Sequence, residues 1–194
     1  MPMIPADMIV IVSGLPRSGT SMMMRMLEVG GIPALADNIR GADEDNPRGY
    51  FEFEPVKKTK EDPSWLNRAG GTVVKMVYRL LYDLPPDREY RVVLMQRHLD
   101  EVIQSQDVML KHRGRESNDL GKAKLSALFQ KQLVEFEAWV KKQSNFKVVY
   151  VNYNEMLRDA GPAIQVVNTF LGGRLDTAAM KKVVEPSLYR QRAE

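Results

Sequence analysis

Four stretches of the chain are continuous apolar runs of strand length, and helical patterns lie between them. "MIVIVS" (Met8–Ser13) is rich in β-branched residues and is followed at once by Gly14. That predicts a central parallel strand buried on both faces. "TSMMMRMLEVGG" comes next, built of good helix formers and stopped by Gly30 and Gly31, so strand, glycine loop and helix occur in that order. "GTVVKMV" from Gly71, "YRVVLMQ" from Tyr90 and "FKVVYVNY" from Phe146 predict three further strands. Helical patterns separate them, notably "LDEVIQSQDVMLKH" from Leu99 and the long "LSALFQKQLVEFEAWVKKQ" from Leu125. Alternating strands and helices predict an α/β fold: one domain over residues 1–194, in three layers, with a mostly parallel central sheet and helices on both faces.

Two stretches break the pattern. "ADNIRGADEDNPRGYFEFEP" (Ala36–Pro55) is polar, acidic and punctuated by Gly and Pro, and "KHRGRESNDLGK" (Lys111–Lys122) is charged with few apolar anchors. The second reads as a mobile loop. Loops beyond the strand ends are where sites sit in such sheets.

Composition narrows the function. The chain has 194 residues, enough for one domain with a sizeable core, and its 44% hydrophobic and 27% charged content is that of a globular protein. Net charge is only +3 with basic and acidic residues interspersed, so the pI near 9.0 hints at anionic ligands without making a case for nucleic acid. The absence of cysteine excludes disulfides and thiol chemistry and fits a reducing compartment. No basic, apolar leader and no run of about 18 apolar residues is seen, so a cytoplasmic protein without a membrane span is expected.

The chemistry centres on "GLPRSGTS" (Gly14–Ser21). Gly14 and Gly19 have the spacing of a phosphate-binding loop, in the required strand–loop–helix context, and backbone N–H groups there make an anion cradle. A P-loop-type fold follows. The loop lysine that handles a nucleoside triphosphate is missing, however: Thr20 and Ser21 follow Gly19, and Arg17 stands inside the loop. No later strand ends in an apolar run followed by Asp to help hold Mg²⁺, so triphosphate chemistry is disfavoured. A less highly charged group leaving a phosphate could be handled by Arg17, Lys75 and backbone dipoles without a metal.

These residues resemble the sulfotransferases that use 3′-phosphoadenosine 5′-phosphosulfate (PAPS). The resemblance implies that the loop binds the 5′-phosphosulfate, with Arg17 as its basic residue and Gly14, Ser18, Gly19, Thr20 and Ser21 forming the cradle. The family's second signature is an Arg at a strand end with a Ser eight residues later, here Arg97 and Ser105 in "VVLMQRHLDEVIQS"; both are implied to hold the 3′-phosphate, a group that a nucleoside triphosphate lacks. "NPRGYFE" (Asn46–Glu52) and "VVYVNYNEML" (Val148–Leu157) also look like segments of bacterial members. The implied reaction transfers a sulfuryl group to a hydroxyl or amine acceptor, leaving the bisphosphate PAP, with no metal.

One departure matters. The cytosolic branch of the family carries Lys-x-His at the end of the second strand, with the histidine as base; here Lys75 is kept and Val77 stands in the histidine's place. A base for the acceptor proton is still expected. Its candidates are Glu52, favoured because it sits in "GYFE", then Glu54, Glu44 and Asp43; Glu52 could instead merely pair with Arg48 or Arg17. Lys75 reads either as a catalytic cation or as a solvated strand-end charge. His98 and His112 are too few for a metal site, and His98 reads as a helix-start residue. Met22, Met23, Met24 and Met26 read as core packing below the loop, Trp65 and Trp139 as core or rim anchors, and "YRQR" (Tyr189–Arg192) as a basic tail that either reaches a phosphate or frays. Two alternatives stay open: a P-loop kinase of a small metabolite, and a non-catalytic nucleotide-binding protein. The expected acceptor-binding loops are sparse, which fits a large acceptor or a partner subunit completing the site, as in a homo-oligomer.

Overall fold

The computed structural model describes residues 4–37, 49–112 and 121–184. Strands β1 (Ile9–Gly14), β2 (Val73–Lys75), β3 (Tyr90–Gln96) and β4 (Phe146–Asn152) form one sheet in the order β2-β1-β3-β4, every pair parallel. The two central strands, β1 and β3, are apolar almost without interruption because helices cover both faces of a parallel sheet. Val12 lies opposite Lys75 and Val93, and Gly14 opposite Met95. The carboxyl ends of the strands therefore share one edge.

The helices are α1 (Thr20–Val29), α2 (Leu99–His112), α3 (Lys122–Val140), α4 (Tyr153–Arg158), α5 (Ala160–Phe170) and α6 (Thr177–Lys181), with 3₁₀ turns at Glu54–Lys58, Ser64–Arg68 and Tyr78–Asp83. Strand alternation divides the core in two. Val10, Val12, Val93, Met95 and Val151 face Met23, Met24, Met26 and Leu27 of α1, and Ile164 and Val167 of α5. The expected methionine packing below the loop is present. On the other face Ile9, Ile11, Val92 and Leu94 pack with Trp65, Val102 of α2 and Phe136 of α3. Each such side chain contributes roughly 1.5–3 kcal/mol by leaving water.

Three short helices after β4 have side-chain caps: Asn152 accepts from the amides of Asn154 and Glu155, Asp159 from Gly161, and Asp176 from Ala179. The long helix begins at Lys122, three residues before the expected Leu125. The irregular stretch at Ala36–Pro55 gives way to a 3₁₀ turn at Glu54, and its residues 38–48 lie outside the described residues. Of the expected loop at Lys111–Lys122, the first two residues close α2 and the last opens α3; residues 113–120 lie outside the described residues. Among the described residues no helix is long and apolar enough to cross a membrane.

Topology places the site. The chain leaves β1 through α1 toward β2, and leaves β3 through α2 and α3 toward β4, on opposite sides. A crevice opens between the carboxyl ends of β1 and β3, the position where open α/β sheets bind ligands.

Candidate functional site

The loop at the end of β1 is built to leave its amides available. Gly14 has φ +149°, and a β-carbon there would stand 2.7 Å from the Met95 carbonyl oxygen, so only glycine lets β1 turn this close to β3. Ser18 closes the turn: its amide and hydroxyl both donate to the Leu15 carbonyl, at 3.2 and 2.7 Å. That hydroxyl is buried and bonded within the turn, so Ser18 shapes the cradle. Arg17 adopts the left-handed conformation at φ 69°, a region a non-glycine residue enters at a cost. Gly19, at φ 92°, caps α1 with no side-chain hydrogen bond. The first-turn amides and the positive end of the helix dipole thus face the crevice without a competing side-chain acceptor at the cap.

Arg17 reaches across the crevice, its Nε donating to Ser105 Oγ on α2 at 2.9 Å. Arg97, just past β3, donates from Nη1 to the Arg17 carbonyl at 3.0 Å. Loop, strand end and following helix are therefore tied together by the two signatures the sequence singled out. Arg97 is deeply set: its Nε meets Glu101 Oε2 at 2.8 Å, with 8% of its side chain exposed, and its guanidinium lies 4.8 Å from the centre of the Tyr153 ring.

At the other side of the loop, Lys75 donates to the Tyr50 carbonyl and, at 3.5 Å, to Ser21 Oγ. Ser21 donates in turn to the same carbonyl at 3.5 Å. Lys75 and Ser21 are thus brought together below residues 49–53, while Thr20 opens α1.

Of the carboxylate candidates, Glu52 and Glu54 are described; Glu44 and Asp43 lie outside the described residues, as do Arg48 and the Tyr189–Arg192 tail. Glu52 faces Lys57 at 3.9 Å, and Glu54 pairs with the same ammonium at 2.5 Å. Lys57 is thus one basic neighbour of Glu52; Arg48, one of the two partners considered for it, lies outside the described residues. The Glu54 hydrogen bond, opposed by partial burial and aided by the charges of Glu54, Glu52 and Asp37, holds the Lys57 pKa above its ordinary value. Glu54 is thereby engaged away from the loop. Val77 is 41% exposed at the head of the 3₁₀ turn after β2. His98 sits at the start of α2, and its amide donates to Asn154 Oδ1 at 3.2 Å.

Sequence reasoning missed four residues of the site. Glu101 and Asn154 are buried and bonded to each other, Tyr153 lies against both Gly19 and Arg97, and Tyr50 offers the carbonyl that Lys75 and Ser21 share. The Arg97-to-Glu101 spacing on the start of a helix was the one local signal available.

No family model and no curated protein matches the chain in sequence. Solved structures match in shape. The sulfotransferase domain of the Synechococcus PCC 7002 olefin synthase superposes with a TM-score of 0.59 at 13% identity, covering 98% of this chain and 89% of that one. The sulfotransferase from Alicyclobacillus acidocaldarius matches with a TM-score of 0.50 at 17% identity, over 92% of this chain and 87% of its own. Retinol dehydratase, in complex with androsterone and the inactive cofactor PAP, gives 0.50 at 17% identity, over 93% of this chain and 64% of its own. The chain has the sulfotransferase fold. The resemblance first read from "GLPRSGTS" and the Arg97–Ser105 pair thus extends from two motifs to the whole arrangement of strands.

Proposed function

We propose that the protein is a sulfotransferase that moves a sulfuryl group from PAPS to a hydroxyl or amine acceptor. One observation carries the reading: Arg17 of the glycine loop and Ser105 of α2 meet across the β1/β3 crevice at 2.9 Å, with Arg97 bracing the loop from beneath. A fold shared with sulfotransferases, and with a retinol dehydratase solved in complex with PAP, supports it.

The residues present fit such a donor. A glycine turn packed so closely on Met95 and Tyr153 that a β-carbon at Gly14 or Gly19 would disrupt it, a helix start with no side-chain cap, and two cations with neighbouring hydroxyls would form an anion site of two lobes. Gly14, Gly19, Thr20 and Ser21 would hold the 5′-phosphate, with Ser18 bracing the turn; Ser105 and Arg97 would hold the 3′-phosphate. Transfer forms a bond from the acceptor oxygen or nitrogen to sulfur and breaks the bond from sulfur to the bridging phosphate oxygen. Negative charge gathers on that oxygen, and Lys75 and Arg17 would balance it. The acceptor's proton goes to a base, and Glu52 is the described carboxylate proposed for it.

The test is calorimetric titration with 3′,5′-adenosine bisphosphate beside ATP–Mg²⁺. Ser105→Ala is the informative variant, because Arg97→Ala would strand the buried Glu101 carboxylate. Binding of the bisphosphate, weakened about tenfold or more in Ser105→Ala by loss of a hydrogen bond to a charged group, with no binding of ATP–Mg²⁺, is the expected result. Preference for ATP–Mg²⁺ would favour the kinase instead. A second reading keeps some support from the exposed Val77 where a histidine base would stand: a protein that binds the nucleotide without catalysis. Binding of the bisphosphate with no consumption of PAPS for any hydroxyl or amine acceptor would select it.

A further inference from the structure

The carboxylate of Glu101 is 1% exposed and accepts three hydrogen bonds from two side chains, those of Arg97 and Asn154. Arg97 Nε donates to Oε2 at 2.8 Å, and Asn154 Nδ2 lies 3.0 Å from each oxygen. Asn154 is itself fixed: its Oδ1 accepts the His98 amide at 3.2 Å, and its own amide is held by Asn152 Oδ1 at 2.9 Å. Burying a carboxylate is costly unless it is paired and fully bonded. Here the Arg97 guanidinium meets the charge, and the Asn154 amide arriving from α4 adds hydrogen bonds to both oxygens. The far end of that guanidinium donates to the Arg17 carbonyl, at the one non-glycine residue of the loop held at positive φ.

We infer that Glu101 and Asn154 are positioning residues for donor binding, acting through Arg97. They fix the guanidinium in the orientation that holds the Arg17 carbonyl, and with it the loop whose Arg17 side chain meets Ser105, although they are themselves buried. The inference rests on the donor site proposed above. A buried pair with only a structural role would be exchangeable for anything that keeps the fold; a positioning pair must keep its hydrogen-bond polarity.

That polarity gives the test. In Glu101→Gln the carbonyl can still accept from Arg97, but the new amide nitrogen faces the Asn154 Nδ2, donor against donor. Turning the Asn154 amide over would relieve this and take its oxygen from the His98 amide. Adding Asn154→Asp restores an acceptor at both places and returns one carboxylate to the network. Wild type, E101Q and the double variant E101Q/N154D are compared for melting temperature and for binding of 3′,5′-adenosine bisphosphate and 5′-AMP by calorimetry. The expected result is a bisphosphate dissociation constant about tenfold higher in E101Q, a smaller change for 5′-AMP, and recovery to within about threefold in the double variant. Equal binding by all three folded proteins overturns the positioning role and leaves the donor site standing. Failure of the wild type to bind either nucleotide overturns the donor site itself. Should E101Q unfold, Glu101→Asp keeps the charge and withdraws it by one methylene: the same selective loss of bisphosphate binding supports the inference, and unchanged binding overturns it.

Discussion

Tyr153 lies against Gly19 so closely that a β-carbon on the glycine would stand 2.3 Å from the tyrosine ring. The same ring also meets Arg97, whose guanidinium lies 4.8 Å from its centre. The start of α4 therefore supports the loop and the strand-end arginine together. Gly19→Ala meets two penalties, the clash and a backbone at φ 92° that alanine adopts poorly. We expect a loss of about 2–3 kcal/mol in unfolding free energy, with donor binding lost at temperatures where the variant is still folded. Combining it with Tyr153→Ala should recover part of the stability, since only the clash is relieved. A variant as stable as the wild type would show that the loop opens freely.

Lys75 separates binding from chemistry. The bridging oxygen stays on the product bisphosphate as a charged oxygen of its 5′-phosphate, so a cation aimed at it also helps to hold the product, as one hydrogen bond to a charged group. Lys75→Ala should raise the bisphosphate dissociation constant about tenfold while PAPS turnover falls further, roughly 10²–10³-fold, the usual scale for losing one preorganised electrostatic contact. Mass-spectrometric consumption of PAPS beside calorimetry reads both quantities. A parallel loss in the two would make Lys75 a plain phosphate ligand.

Glu52 and Glu54 offer a matched comparison, because both approach the Lys57 ammonium, at 3.9 and 2.5 Å. Glu54 is the closer partner and is engaged there; Glu52 is the one proposed for the acceptor proton. Glu52→Gln should reduce turnover by about 10²–10⁴ with bisphosphate binding kept, and Glu54→Gln should leave turnover nearly unchanged. The reverse order would move the base to Glu54, and full activity in both would move it out of this segment.

Much of the fold was legible because its signals are local. β3 and α2 match the expected bounds, Tyr90–Gln96 and Leu99–His112, since a β-branched run and a 3.6-residue period are read within a dozen residues. The 3₁₀ turns between Glu54 and Asp83 carry neither period and were passed over. The helices after Arg158 were missed although Asp159 and Asp176 are ordinary capping signals. Of the candidate site, Arg17, Lys75, Arg97 and Ser105 could be named because a motif marks them. Asn154 was not, because its partner Glu101 lies 53 positions away and only the pairing of β3 with β4 brings α2 and α4 together. Residues that act by holding another residue leave no pattern of their own in one sequence.

Tyr90 gives a prediction about stability. It opens β3 with 1% of its surface exposed, and its hydroxyl donates to the Pro85 carbonyl at 2.9 Å. Burial pushes its phenol up to about 12, against the opposing charge of Arg88 and with a small contribution from Asp87 in the same direction. Tyr78, Tyr82 and Tyr150 are raised by burial as well. A phenol whose folded pKa lies above its unfolded value of about 10 keeps its proton better in the fold, so its contribution is whole below pH 10 and is lost as pH climbs toward 12. For Tyr90 the loss amounts to roughly 2–3 kcal/mol at most. Tyr90→Phe cannot ionise, but it leaves the Pro85 carbonyl without its donor and should cost about 1 kcal/mol at pH 8. Urea midpoints measured from pH 8 to 12 should therefore cross: wild type more stable at the neutral end, Tyr90→Phe more stable at the alkaline end. A constant gap between the two curves would mean that Tyr90 ionises as readily in the fold as out of it, and that alkaline sensitivity belongs to other groups.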